Sequence, residues 1–242
     1  MNNLLPPISE SILSDNAPPC KSITSIVINS HISSDIARNH LIKSMMECDD
    51  FKSYKIIIVI GGYYDIPTYE TTIVDNITYI KANHNSIDYT GLITLLDIYS
   101  ENEDNYYFYM HDTCRVGPLF FKNLSNIQLD NVLSIRLGIV YSMNIGVYSQ
   151  RIINQHAEFL KKRICKNQEN LIHFKQEAID LEDAIFNNDN TNYIINNNTT
   201  RETSGPSDYY NTGTMRIVEY YSNMDLYKIK ANWRKGDNIL RN

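Results

Sequence analysis

The chain has 242 residues, 43% of them hydrophobic, and a formal net charge of -6, enough apolar material for a sizeable core and the wrong sign for a protein whose main partner is a phosphate backbone. A nucleic-acid partner is therefore not expected. No run approaches the roughly 18 to 20 apolar residues that span a bilayer, and the N-terminus lacks the basic and apolar regions of a signal peptide, so no transmembrane segment and a cytoplasmic location are expected.

Residues 1–21 carry Pro6-Pro7 and Pro18-Pro19 with few large apolar side chains and read as an N-terminal arm. The main domain, 22–186, opens with a strand from Ile23 to Asn29. A helix follows, starting at Ser33 or Ser34 and placing Ile36, Leu41, Ile42, Met45 and Met46 at helical spacing. The run Lys55 to Ile60, stopped by Gly61-Gly62, predicts a central strand buried on both faces. Ile77 to Ala82 is a third strand. From Ser86 the period changes, and Ile87, Leu92, Ile93, Leu95, Leu96 and Ile98 predict a helix with Asp88 in its first turn and a polar end at Glu101 to Asn105.

Tyr106 to Met110 is the next strand, and it runs directly into His111-Asp112-Thr113 and then into Gly117-Pro118. Val132 to Val140 and Asn144 to Tyr148 continue the sheet, after which Arg151 to Lys166 and Asn170 to Phe186 read as helices. This alternation implies an α/β fold, a mostly parallel sheet with helices on both faces. Residues 187–208 are rich in Asn, Thr and Ser and read as a flexible loop. In the tail, 209–242, Met215 to Tyr221 and Leu226 to Asn232 predict a hairpin returning to the domain, with a surface that would suit a homodimer. Cys20, Cys48, Cys114 and Cys165 are scattered without a C-x-x-C spacing, which points to reduced thiols and no zinc site.

Polar residues gather after four successive strands: Ser30-His31, Gly61 to Asp65, Asn83 to Asn85, and His111 to Thr113. Such clustering suits a nucleotide crevice at the carboxyl edge of an open sheet. Gly61 lets the backbone approach a ligand, Tyr63 or Tyr64 can stack on a base, and Asp65 can accept from ribose or base. A G-x-G-x-x-G after the first strand and a G-x-x-x-x-G-K-S/T are both missing, which disfavours a Rossmann dinucleotide site and a P-loop.

The strand Tyr107-Phe-Tyr-Met110 followed by His111-Asp-Thr113, with Asn83-His-Asn-Ser-Ile-Asp-Tyr-Thr-Gly-Leu92 before it, resembles the nucleotide-sugar glycosyltransferases of the GT-A fold over roughly Ile23 to Phe186. The resemblance implies a GT-A-like, Rossmann-like sheet and transfer of a sugar from a nucleotide-diphosphate donor, a UDP-sugar favoured, to a hydroxyl on a glycan or other acceptor. It puts Asp112 and His111 where the family's Asp-x-Asp holds Mn²⁺ or Mg²⁺. The expected donor site comprises Ser30, His31, Gly61, Tyr63, Asp65, Asn83, Asp88 and Lys228. Glu182-Asp183 looks like the acidic pair that supplies the catalytic base in several inverting families. Arg216, Lys228, Lys230, Arg234 and Lys235 give the tail the charge of a lid over the diphosphate. Two other functions fit the same fold: a non-catalytic nucleotide-sugar or glycan-binding protein, and a sugar nucleotidyltransferase. The latter would bring a Gly-rich loop with Arg or Lys after the first strand, which Ser30-His-Ile-Ser-Ser34 lacks.

Overall fold

The central strands carry apolar side chains on both sides over most of their length, and the chain buries both faces of one large sheet. A computed structural model describes residues 21–138, 144–167, 171–196, 199–202 and 216–231. In chain order the elements are β1 (Ser25–His31), α1 (Asp35–Met46), β2 (Ile56–Gly61), β3 (Tyr69–Val74), β4 (Ile77–Ala82), α2 (Thr90–Tyr99), β5 (Tyr106–His111) and β6 (Cys114–Val116). There follow α3 (Phe120–Ser125), β7 (Ser134–Gly138), β8 (Gly146–Ser149), α4 (Gln150–Gln155), α5 (Ala157–Lys161), α6 (Leu171–Asp180) and α7 (Ala184–Asn187). The last strands are β9 (Tyr193–Asn196), β10 (Thr199–Glu202), β11 (Arg216–Tyr221) and β12 (Leu226–Ala231). Short 3₁₀ turns at Asp49–Ser53 and Ile87–Tyr89 precede β2 and α2.

The eight-stranded sheet has the order β3-β4-β2-β1-β5-β8-β7-β9. Strands β4, β2, β1 and β5 are mutually parallel, β7 and β9 pair in parallel, and β3 and β8 run against their neighbours. Period-2 alternation divides the core in two. Ile26, Ile28, Ile56, Ile58, Phe108 and Met110 pack on one face with Leu41 and Met45 of α1 and Phe120 of α3. Val27, Ile57, Val59, Tyr107 and Tyr109 pack on the other with Leu92, Ile93 and Leu95 of α2, Ile152 of α4 and Phe186 of α7. The mostly parallel α/β sheet with helices on both faces is thus as expected from the sequence.

Four strands escape the sequence pattern. β3 is an edge strand with every residue after Tyr69 exposed, so it carries no buried stripe, and it joins β4 through a two-residue turn at Asp75-Asn76 with Asp75 at φ 53°. β6 has only three residues. The segment 187–208, expected as a flexible loop, contributes β9 to the main sheet and β10 to a second one. That second sheet is antiparallel, ordered β10-β11-β12-β6, and it returns the tail to the domain through β12, with Leu226 opposite Val116 and Lys228 opposite Cys114. Most of the expected arm, residues 1–20, and Arg234 and Lys235 lie outside the described residues. Cys48, Cys114 and Cys165 are buried free thiols. Among the described residues no helix is long and apolar enough to cross a membrane.

His84, just past the end of β4, is buried with Nδ1 2.9 Å from Ser86 Oγ and Nε2 3.4 Å from the Tyr69 hydroxyl. Burial lowers its pKa from 6.5 to about 4, a pull only partly opposed by Asp97. As pH falls through this window the unfolded chain takes up a proton before the native one does, so stability held at neutral pH is lost on acidification. The full shift corresponds to about 3 kcal/mol. His84→Gln is expected to flatten the decline in unfolding free energy between about pH 7 and pH 4, read from urea denaturation at a series of pH values; an unchanged slope would reject the assignment.

Candidate functional site

Strands β1 and β5 are neighbours, yet the chain leaves β1 toward β2 and β4 on one side and reaches β5 only after crossing back over α2. Strand order therefore reverses between β1 and β5, and the crevice beyond their carboxyl ends is where open α/β sheets take ligands. In register, Asn29 of β1 lies opposite His111 of β5, which places Ser30 and Asp112 side by side at that crevice. The Ser30 hydroxyl donates to Asp112 Oδ2 at 2.8 Å, and Arg38 of α1 donates to Ser30 Oγ at 2.9 Å and to the His31 carbonyl at 3.1 Å. Burial raises the Asp112 pKa, against the lowering effects of the Ser30 hydrogen bond and the charges of Lys228 and Arg38.

His111 is enclosed by three elements. Its Nε2 lies 2.7 Å from Asn144 Oδ1, while the Asn144 amide nitrogen donates to the Asp88 carbonyl at 2.8 Å and so fixes which end of the amide faces the ring. The ring must then donate through Nε2, leaving Nδ1 as an acceptor. Lys228 Nζ reaches that Nδ1 at 3.2 Å and also donates to Thr113 Oγ1. The lysine is 2% exposed. Asp88 Oδ1 stands 3.6 Å from the same Nδ1, beyond hydrogen-bond range but close in charge.

The loop carrying Asp88 is held under strain. Ile87 has φ 55°, a left-handed conformation costly for a β-branched residue. Asn29 Nδ2 donates to the Ile87 carbonyl at 2.9 Å, and Asn85 Oδ1 accepts from Ile87 N at 3.1 Å. Asn29 Oδ1 also accepts from Gly91 N at 2.8 Å, and the Tyr109 hydroxyl donates to the Asp88 carbonyl at 2.8 Å. A side chain at residue 91 would come within 2.7 Å of the Tyr109 ring, so only glycine lets the first turn of α2 sit against that tyrosine.

Of the residues singled out in the sequence, Ser30, Asp88, His111, Asp112 and Lys228 come together here. Gly61 and His31 flank the cluster: a side chain at residue 61 would meet the His84 carbonyl at 2.8 Å, and the His31 ring packs over Gly62. Tyr63 packs beside the core with Lys81 Nζ 5.2 Å from its ring, Asp65 is exposed, and Asn83 spends its amide on the Pro67 carbonyl at 2.6 Å. Asp183 forms an ion pair with Arg136 of β7, and Glu182 is its neighbour on the turn between α6 and α7. Asn29, Arg38 and Asn144 were not singled out. Asn29 is polar within a buried strand, the one signal that would have marked it. A separate cavity of about 240 Å³, between α3, β9 and the hairpin turn, is lined by residues such as Gln128, Tyr193 and Met224 and shares none with this cluster.

The residues expected to hold a divalent metal fit one poorly. Both ring nitrogens of His111 are engaged, and the Asp112 oxygen Oδ2 is bonded to Ser30. Among the described residues, no group of three or more His, Cys, Asp and Glu side chains is arranged to hold a metal ion. No protein-family model, curated protein or solved structure matches the chain.

Asn29→Ala would take away the acceptor of the buried Gly91 amide and one donor of the Ile87 carbonyl, which keeps the Thr90 amide and hydroxyl, at about 1 to 3 kcal/mol. The expected result is a melting temperature lower by roughly 3 to 10 °C. Asn29→Asp keeps the acceptor for Gly91 and is expected to lose less. Equal melting of wild type and Asn29→Ala would remove Asn29 from its bridging role.

Proposed function

We propose that this chain is a glycosyltransferase that moves a sugar from a nucleotide-diphosphate donor, a UDP-sugar first among candidates, to a hydroxyl on a glycan or other acceptor. The observation that carries the reading is the buried Lys228 ammonium beside His111 and Thr113 at the β1/β5 crevice, a fixed positive charge where such a sheet takes a phosphorylated ligand. Lys228 faces the diphosphate, and Asp88 accepts from ribose or sugar hydroxyls. Asp183 or Glu182 serves as the base that takes the acceptor's proton.

One observation favours a second reading. Asp183 is tied to Arg136 and must leave it to take a proton, which suits a protein that binds a nucleotide sugar without turning it over. Donor hydrolysis separates the two, since a slow reaction with water accompanies an active transferase and is foreign to a binder.

Ligand at about 100 times its dissociation constant adds roughly 2.7 kcal/mol, which is expected to raise the melting temperature by about 5 to 10 °C for the matching nucleotide diphosphate or its sugar conjugate. Two hydrogen bonds to the residue 88 carbonyl hold that position, so Asp88→Ala is expected to fold while binding the donor about 10- to 100-fold more weakly by calorimetry. No shift with any uridine, guanosine or cytidine diphosphate would sink the donor-site reading.

A further inference from the structure

We propose that Lys228 takes the place of a divalent ion, so that this site binds the donor diphosphate without metal; the inference rests on the donor-site reading above. Position comes first. Pairing of β12 with β6 puts Lys228 opposite Cys114, one residue beyond Thr113, and Ile229 N donates to the Thr113 carbonyl at 3.0 Å, so the backbone carries the ammonium to the end of β5. Its burial at 2% exposure and its contacts with Thr113 Oγ1 and His111 Nδ1 fix the charge there. An ammonium has three donors; these two contacts leave one, for which a phosphate oxygen would compete with Glu219, fully buried and opposite Lys228 in the β11 and β12 register.

The donors a metal would need are directed elsewhere. Asn144 is oriented by its bond to the Asp88 carbonyl, which obliges His111 to donate through Nε2 and accept at Nδ1 from Lys228. A cation bound at Nδ1 would displace the ammonium and sit against a like charge. Asp112 turns Oδ2 to Ser30, whose oxygen also accepts from Arg38, so that carboxylate completes a chain running toward α1. The strand end therefore has the residues of a metal-binding motif in type and a lysine-centred anion site in its bonding.

Calorimetric titration of the full chain with UDP, GDP and CDP, once in excess EDTA and once in excess Mn²⁺, tests this. The expected result is one nucleotide diphosphate bound in EDTA, with an affinity within about threefold of that in Mn²⁺, and a loss of at least about tenfold in Lys228→Met. Because Lys228 is buried, that variant is read only if its circular dichroism and cooperative melting match wild type; the wild-type comparison decides the question without it. Binding that appears only with Mn²⁺ would overturn the inference and leave the donor reading standing. Wild-type affinity in a folded Lys228→Met would likewise overturn the inference alone. No binding of any nucleotide in either buffer would overturn both.

Discussion

Removing an ammonium from water costs several kcal/mol unless the protein supplies partners in good geometry, and the buried amine of Lys228 imposes that condition on everything around it. The contacts with Thr113 and His111 meet it directly, and Asp112 is close enough for each charge to act on the other. Since Lys228 belongs to β12 and its partners to the end of β5, this one side chain ties the second sheet to the switch point of the first. Asp225, in the turn just before the same strand, adds a second tie. Its carbonyl accepts from Gly117 N at 2.8 Å and its carboxylate from Leu119 N at 2.9 Å and the Tyr220 hydroxyl at 3.0 Å. Polar anchors within one strand and just before it fix its register in a way that apolar packing alone would leave loose.

A parallel logic holds the opposite wall. Tyr109 points to the face opposite Met110, packs against Gly91 and donates to the Asp88 carbonyl, so a core residue of β5 sets the height of the loop that carries Asp88. Asn29 grips the same loop from β1 at Ile87 and Gly91. The left-handed Ile87 is the cost of that grip, and a strained residue persists only where its surroundings over-determine it. Both walls of the crevice are thus built outward from β1 and β5, the two neighbouring strands at the middle of the sheet.

That is also why these parts were legible in the sequence. Ile56 to Ile60 reads as a strand because a strand covered on both faces needs an apolar side chain at every position. His111-Asp112-Thr113 stands out because a buried strand ends in three polar residues at once. β3 has no buried stripe beyond Tyr69, and β9 has four residues flanked by asparagines, so neither offers a period to read. Asn83 and Asp65 occupy strand-end positions by the same pattern as Ser30, yet Asn83 serves the turn through Pro67, a common use of asparagine that spacing alone does not distinguish from ligand binding. Arg38 and Asn144 come from a helix face and a loop, and their places follow only from the three-dimensional packing of α1 and of the segment before β8.

The position of Lys228 bears on what kind of site this is. A metal site assembles its charge from outside, and its ligands must be held open and deprotonated to receive it. Here the charge arrives covalently, on a strand far along the chain from His111, and the ligands are closed around one another through Asn144, Ser30 and Arg38. A site of that kind is complete only when β12 has paired with β6, so the same hydrogen bonds that finish the second sheet also finish the crevice. Folding of the tail and assembly of the proposed anion site are then one event, and the charge at the end of β5 is set by backbone register.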